Sequence, residues 1–362
     1  MSFRLIPRPW HSHPNSLGRA SYRNYNARAL RNMETPGYLS FASLHTASTG
    51  VATSVALSAT DILLRPANPA RWKPGPRDGP TTLTPATFLS MIRGETPAVH
   101  APGFTSQDTA RRLEKYIGKC LTPYSHIAGP PVSKVGVAQF EFQAQSANDF
   151  AAQRTDAKDR YFAASQTHRN LHKQVAKAAG VSPQQAPWPR IVALIQSMFP
   201  DHVVATAREP HPDGREYHAG IYRAIDSGTP VHCDWSPYDS ATEDWVINKI
   251  THQAVFNLYL APMAPGGGHT VVYDRQWEHS VLSDRDPESY GYFDEVVEGR
   301  DSVTLRPDVG DLVFFNTRNL HRVQKLAAGS EAPASRRITL SSFIGLLPRG
   351  VLGDRECVIL WS

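Results

Sequence analysis

Residues that can grip a metal ion stand out first. The stretch Val231-His232-Cys233-Asp234-Trp235 sets a histidine and an aspartate two positions apart. In an extended chain such residues project from one face, so an imidazole nitrogen and a carboxylate oxygen can meet on one cation while Cys233 points elsewhere. Alone the triplet carries little weight, because ordinary composition yields one roughly once by chance in a chain this long. The sequence holds its own decoy, His211-Pro212-Asp213, in a Pro-Asp-Gly turn whose proline is unsuited to a strand. What separates the first copy is downstream. Asp311-Leu312-Val313-Phe314-Phe315 reads as a buried strand entered through a Gly310 turn, and a short polar loop then leads to His321. Two histidines and one carboxylate with positions left open suit non-haem iron(II), although the same set tolerates cobalt, nickel or manganese.

Sixteen residues after His321 comes Arg337-Ile338-Thr339-Leu340-Ser341, a strand pattern with polar residues on one face and apolar ones on the other. Period two puts Arg337 with Thr339 and Ser341, and Arg336 opposite. Asn257 and Tyr259 alternate with apolar neighbours in the same way. They either line the same cavity or satisfy local hydrogen bonds in the barrel.

An H-x-D pair, a distal histidine after a GDLVFFN strand and a following R-x-T/S strand together resemble the iron(II)- and 2-oxoglutarate-dependent oxygenase superfamily, over about residues 200–350. The resemblance implies a double-stranded β-helix and a metal held by His232, Asp234 and His321. It also implies 2-oxoglutarate and O2 as cosubstrates, with Arg337 on the distal carboxylate of 2-oxoglutarate and Thr339 or Ser341 adding a hydrogen bond. A planar guanidinium suits that task because it can meet a carboxylate bidentately. Asn257 and Tyr259 are further cosubstrate positions in such proteins. The implied chemistry is oxidation of a C–H bond with release of succinate and CO2, ending in hydroxylation, desaturation or ring closure. Halogenating relatives replace the carboxylate at the Asp234 position with Gly or Ala, so Asp234 disfavours halogenation.

Tyr222, Arg223, Trp235, Arg275 and Trp277 flank the expected mouth, either as substrate contacts or as ordinary rim and core residues, and Arg275 would suit the carboxylate of an amino acid. The expected substrate is a small metabolite, such as an amino acid or a secondary-metabolite intermediate. Two alternatives stand beside it: a protein or peptide hydroxylase that docks through its N-terminal arm, and a jelly-roll module that binds without oxidising. Gly266-Gly267-Gly268 lacks the Lys-Ser/Thr of a phosphate loop and reads as a hairpin turn. No G-x-S-x-G elbow is present, and Cys233 has no assigned base.

The elements that must position these residues change character along the chain. Residues 1–82 are rich in Pro, Ser, Asn and Arg, with five prolines between Pro66 and Pro80, and read as an extension. Residues 83–200 read as helical: from Thr84-Pro85, a cap and first-turn pair; over Gln107 to Cys120; over Asn148 to Ala179 as one or two helices; and over Ser182 to Met198. Residues 201–362 read as short strands at 203–207, 217–225, 254–261, 269–273, 302–305, 311–315 and 337–347, separated by turn signals. Strands without helical crossovers predict an α+β protein, a cupin-like jelly roll carrying a helical N-terminal part.

Composition narrows the classes. Hydrophobic residues make up 41% of 362, enough for a substantial core. The net charge of +5 lies in the N-terminal part, where residues 1–100 carry 11 Lys+Arg against 4 Asp+Glu, leaving 27 against 29 for the rest. No nucleic-acid footprint and no membrane span follow from that pattern, and the oligomeric state is not readable. Three scattered cysteines form no disulfide framework, so a cytoplasmic compartment is the default. Six Arg and no acid in the first 33 residues resemble a mitochondrial presequence, but Pro7, Pro9 and Pro14 would break its helix.

Overall fold

The computed structural model describes Trp72 and residues 80–124, 132–142, 147–225, 228–239, 244–262, 267–286, 289–325 and 337–362; side chains of 147–155 are not described. The extension read over residues 1–82 therefore lies almost wholly outside the described residues, as do Arg336 and Gly266.

Helix α1 (Pro85–Ile92) starts where the sequence predicts. Thr84 and Thr87 exchange side-chain-to-backbone bonds of 3.1 and 2.8 Å, and Pro85 occupies the first turn, where its missing N–H costs nothing. Helix α2 (Gln107–Ile117) is capped by Ser106 and buries Ala110, Leu113 and Ile117 at helical spacing. The long alanine-rich stretch divides into α3 (Ala147–Thr167) and α4 (Leu171–Ala178), and α5 (Pro187–Met198) follows.

The strands are β1 (Thr81–Thr82), β2 (Ala98–Ala101), β3 (Thr122–Pro123), β4 (Val132–Val135), β5 (Val203–Thr206), β6 (Ile221–Ile225), β7 (His252–Tyr259), β8 (Thr270–Gln276), β9 (Ser302–Leu305), β10 (Leu312–Phe315), β11 (Asn319–Val323), β12 (Arg337–Leu347) and β13 (Cys357–Trp361). Ten form one large sheet in the order β1-β2-β10-β7-β12-β6-β4-β3, with β13 on the second half of β12 and β5 beside β13. Strands β11-β8-β9 form a small sheet. The fold is thus mixed α+β around a large sheet. Four of its strands, β1 to β4, arise within or at the edge of the segment read as helical. The stretch read as a polar loop before His321 begins strand β11 instead.

Strand alternation sorts the large sheet into two faces. On one, Tyr222, Ala224, Phe256, Leu258, Leu312, Phe314, Ile338 and Leu340 share an apolar cluster with Phe88, Leu113, Leu171 and Ile191 of the helices. Each of the Phe, Leu and Ile side chains contributes roughly 1.5–3 kcal/mol by leaving water. On the other face, Val255, Tyr259, Val313 and Phe315 pack with Val272, Val303 and Leu305 of the small sheet. That second interior, between the sheets, receives the functional residues. Gly310 marks its entry: φ is +96°, and a Cβ there would fall 2.2 Å from the Thr105 carbonyl oxygen, so no side chain fits.

Candidate functional site

The segment around His232 is extended but is no full strand. It is held by two bridges, Val231 to Tyr292 and His232 to His321. His232 N donates to His321 O at 2.9 Å, and His321 N returns a bond of 2.8 Å to His232 O. Asp234 N donates to Thr317 O at 3.0 Å, and Gln253 Nε2 holds Asp234 O at 3.0 Å. Backbone bonds thereby fix all three side chains. One ligand atom from each of His232, Asp234 and His321 lies within 4.8 Å of the others, and His321 Nε2 is 3.5 Å from Asp234 Oδ2.

The tautomers suit a metal. His232 Nδ1 sits 2.9 Å from Pro230 O, and His321 Nδ1 sits 2.9 Å from Asn319 O. A carbonyl only accepts, so each ring donates from Nδ1 and turns its Nε2 inward, toward the position a metal would take. Burial, aided by the neighbouring His321, lowers the His232 pKa to about 4 and keeps the ring neutral. Burial pushes the Asp234 carboxyl upward, but the His321 hydrogen bond and the charges of His232, His321 and Arg223 outweigh it, giving about 2. Two imidazole nitrogens and one carboxylate fit a divalent cation with open positions.

The cosubstrate residues predicted from sequence converge as well. Register sets Thr339 opposite Tyr259 and Ser341 opposite Asn257, all facing the inter-sheet interior. Ser341 Oγ donates to Asn257 Oδ1 at 2.6 Å and lies 2.9 Å from Thr339 Oγ1. Arg337, only 4% exposed, reaches Tyr259 Oη at 3.2 Å and Thr270 Oγ1 at 3.1 Å. Its Nε is buried without a hydrogen-bond partner, and among the described residues no carboxylate pairs with it. A buried guanidinium left in that state costs several kcal/mol. A ligand carboxylate would remove the deficit, so the residues present fit 2-oxoglutarate beside the metal.

The predicted substrate contacts divide. Arg223 lies opposite Thr339 and shares its inward face. Its neighbour Tyr222 faces the helices and is 1% exposed. Arg275 alternates with inward-facing Thr270 and Val272 on β8, so it projects the other way and binds the Val296 carbonyl. Trp277 packs in the cluster behind the small sheet. Trp235 alternates away from Asp234, lies under Arg318 at 4.9 Å, and lines a cavity of about 400 Å³ that contains none of the three ligands.

Sequence reasoning missed four contributors. Phe343 continues the Arg337, Thr339, Ser341 face by two more residues, so the same period would have found it. Thr270 supports Arg337 from the small sheet. Tyr290 stacks edge-on to His232 at 5.3 Å, and Tyr124 accepts a 2.7 Å bond from Arg223 Nε. Tyr290 and Tyr124 come from segments with no local signal.

The chain is similar to several known proteins. Residues 189–362, which include His232, Asp234, His321 and Arg337, match the family model described as carrier-protein-independent halogenase WelO5. Leucinostatins biosynthesis cluster protein S of Purpureocillium lilacinum is 36% identical over 243 residues, 66% of this chain and 89% of that protein. L-gamma-glutamyl-L-propargylglycine hydroxylase of Streptantibioticus cattleyicolor is 32% identical over 154 residues, 41% of this chain and 50% of the hydroxylase. An N-substituted L-amino acid dioxygenase structure from Burkholderia ambifaria aligns over 76% of this chain and 91% of its own, at 15% identity and a TM-score of 0.47. The chain belongs to the iron(II)- and 2-oxoglutarate-dependent oxygenase superfamily. It is an enzyme of that class, using Fe(II), 2-oxoglutarate and O2. Among the described residues no helix is long and apolar enough to cross a membrane.

Proposed function

We propose that the protein oxidises an unactivated C–H bond of a small secondary metabolite built from amino acids, with His232, Asp234 and His321 as the iron ligands. The paired sheets with helices on one face are read as a double-stranded β-helix carrying a helical N-terminal part. Bound iron, with 2-oxoglutarate and O2, supplies an oxidant that takes a hydrogen atom from a C–H bond, with release of succinate and CO2. The protein's own part is to orient and to exclude water. Arg337 takes the distal carboxylate of 2-oxoglutarate, supported by Tyr259 and Thr270. Thr339, Ser341 and Asn257 form a polar floor, while Val255, Phe315 and Val313 keep the surroundings apolar.

The observation that carries this reading is the buried, partnerless Arg337 Nε, on the strand face it shares with Thr339 and Ser341, together with the converged triad. Asp234 favours hydroxylation, desaturation or ring closure over halogenation, although the matched family model bears a halogenase description, because the carboxylate fills the place a halide would need. The printed names of the two curated relatives, one from a biosynthesis cluster and one a hydroxylase of a γ-glutamyl amino acid, support an amino-acid-derived substrate. Anaerobic reconstitution with Fe(II), then a screen of such compounds for substrate-dependent succinate release, tests it. Removing residues 1–71 should spare turnover of a small molecule; loss of turnover would instead favour a protein substrate docked by that arm.

A further inference from the structure

We propose that Arg223, with the Tyr124 hydroxyl beside it, anchors a carboxylate of the substrate, so that this oxygenase takes amino-acid derivatives bearing a free acid. The inference rests on the oxygenase reading above and deepens it. Directly opposed residues on paired strands share a face, and Arg223 opposes Thr339 of β12 and Lys134 of β4. Arg223 thus projects into the interior that holds the triad, and its field reaches the Asp234 carboxylate.

The way Arg223 is held leaves its binding edge available. Nε donates to Tyr124 Oη at 2.7 Å, and the guanidinium lies 5.7 Å from the Phe343 ring centre. Using Nε in this way leaves both terminal amino groups to meet a carboxylate end-on. Among the described residues no carboxylate forms an ion pair with Arg223. Lys134 is different, since Glu141 pairs with it at 2.8 Å. Arg337 is committed to the cosubstrate. Once a divalent ion takes up the charge of Asp234, Arg223 is left with a positive charge that no carboxylate among the described residues pairs with.

The surroundings define the rest of the ligand. Tyr124 stacks on Phe140 at 5.2 Å and 24°, and Lys134 lies over the Tyr124 ring at 5.5 Å. Phe343 and Tyr290 add aromatic wall around the same interior. One cation set among aromatic rings selects a molecule with one acid and an apolar body. Holding the acid fixes the distance from the anchor to the C–H bond presented to the metal.

The test uses full-length protein loaded anaerobically with Fe(II) and 2-oxoglutarate. The probes are L-norvaline, γ-L-glutamyl-L-norvaline and N-octanoyl-L-norvaline, each beside its carboxamide. Binding is read from the probe-induced change in the visible band of the iron–2-oxoglutarate complex, and turnover from succinate. At least one acid should bind about 30-fold or more tighter than its amide, the weight of a charge-assisted bidentate contact. Arg223→Gln should remove that preference by raising KM for the acid while kcat changes little. Arg223→Lys should retain part of it, and Tyr124→Phe should weaken it by about tenfold or less, the worth of one hydrogen bond. Affinity for 2-oxoglutarate should be unchanged in all of them, which also shows that the variants fold. Equal binding of every acid and its amide, or an unaltered acid preference in Arg223→Gln, overturns the proposal. Acid-selective binding without any succinate sinks the oxygenase reading and leaves the anchor standing.

Discussion

His232 and His321 are joined twice through their backbones, by bonds of 2.9 and 2.8 Å, and each ring then fastens its own Nδ1 to the carbonyl two residues earlier. The two rings lie 4.3 Å apart between centres. Backbone pairing sets the spacing of the two imidazoles, and the local carbonyls set their rotation. The placement of the two rings is therefore a property of the edge of the small sheet and the extended segment bridged to it.

Replacing any one of His232, Asp234 or His321 by Ala should abolish substrate-dependent succinate release and weaken iron binding by orders of magnitude. Loss of one of three protein ligands removes the facial arrangement itself. Metal titration alongside activity checks this, and full activity in any single variant would contradict the assignment.

Arg337→Gln should raise KM for 2-oxoglutarate by about 100-fold, because it deletes a buried charge-assisted pair worth on the order of 2–3 kcal/mol. Arg337→Lys should recover only part, as an ammonium cannot hold Tyr259, Thr270 and a carboxylate in the same fork geometry. Steady-state kinetics with 2-oxoglutarate varied measures both. Wild-type KM in Arg337→Gln would show that the cosubstrate sits elsewhere.

The residues legible from sequence were those governed by period two. Arg337, Thr339, Ser341, Asn257 and Tyr259 share a face because strands alternate, and their register follows from pairing β12 with β7. Nearness in sequence misled where alternation reverses direction. Tyr222 and Trp235 each adjoin an inward residue and so point outward. Strand β11 was hidden because Asn319-Leu320-His321-Arg322-Val323 has the polarity of a loop and becomes a strand only through β8. The run Cys357 to Trp361 is uniformly apolar, since β13 is buried on both faces, and offers no alternation to read. Tyr124 and Tyr290 reach the site by tertiary folding alone.

Asp311 should prove a structural acid. Its 5%-exposed carboxylate meets His100 Nε2 at 2.8 Å, Gly103 N at 2.7 Å and Asp308 N at 2.8 Å, tying β2 and its following turn to β10. Asp311→Ala strands those donors and should cost roughly 2–4 kcal/mol. A drop in Tm read by circular dichroism tests this, and an unchanged Tm refutes it.

Acid should destabilise the fold through His218. Burial first, then the charges of His172, His168 and Lys134, lower its pKa from 6.5 to about 3, and its Nε2 is buried without a hydrogen-bond partner. The unfolded chain therefore binds more protons between those values. Stability is complete above about pH 6.5 and falls as pH drops toward 3, by up to ~1.4 kcal/mol per unit for this one group. Urea unfolding at pH 7.5, 6 and 5 should show the decline, and His218→Gln should make it shallower, with buried His172 and His232 still contributing.

Strand β12 is hydrogen-bonded to β7, β6 and β13 and carries the cosubstrate residues at the middle of the large sheet, while Tyr124 follows β3 at the sheet's end and Tyr290 lies on a connecting segment. The proposed cosubstrate face is bolted to the central girder of the large sheet, and two of the proposed recognition groups, Tyr124 and Tyr290, hang from the rim. A lineage can exchange rim residues, and with them the compound it modifies, without disturbing the furnace beneath. Diversity of product on one unvarying oxidation is the behaviour such a division of labour favours.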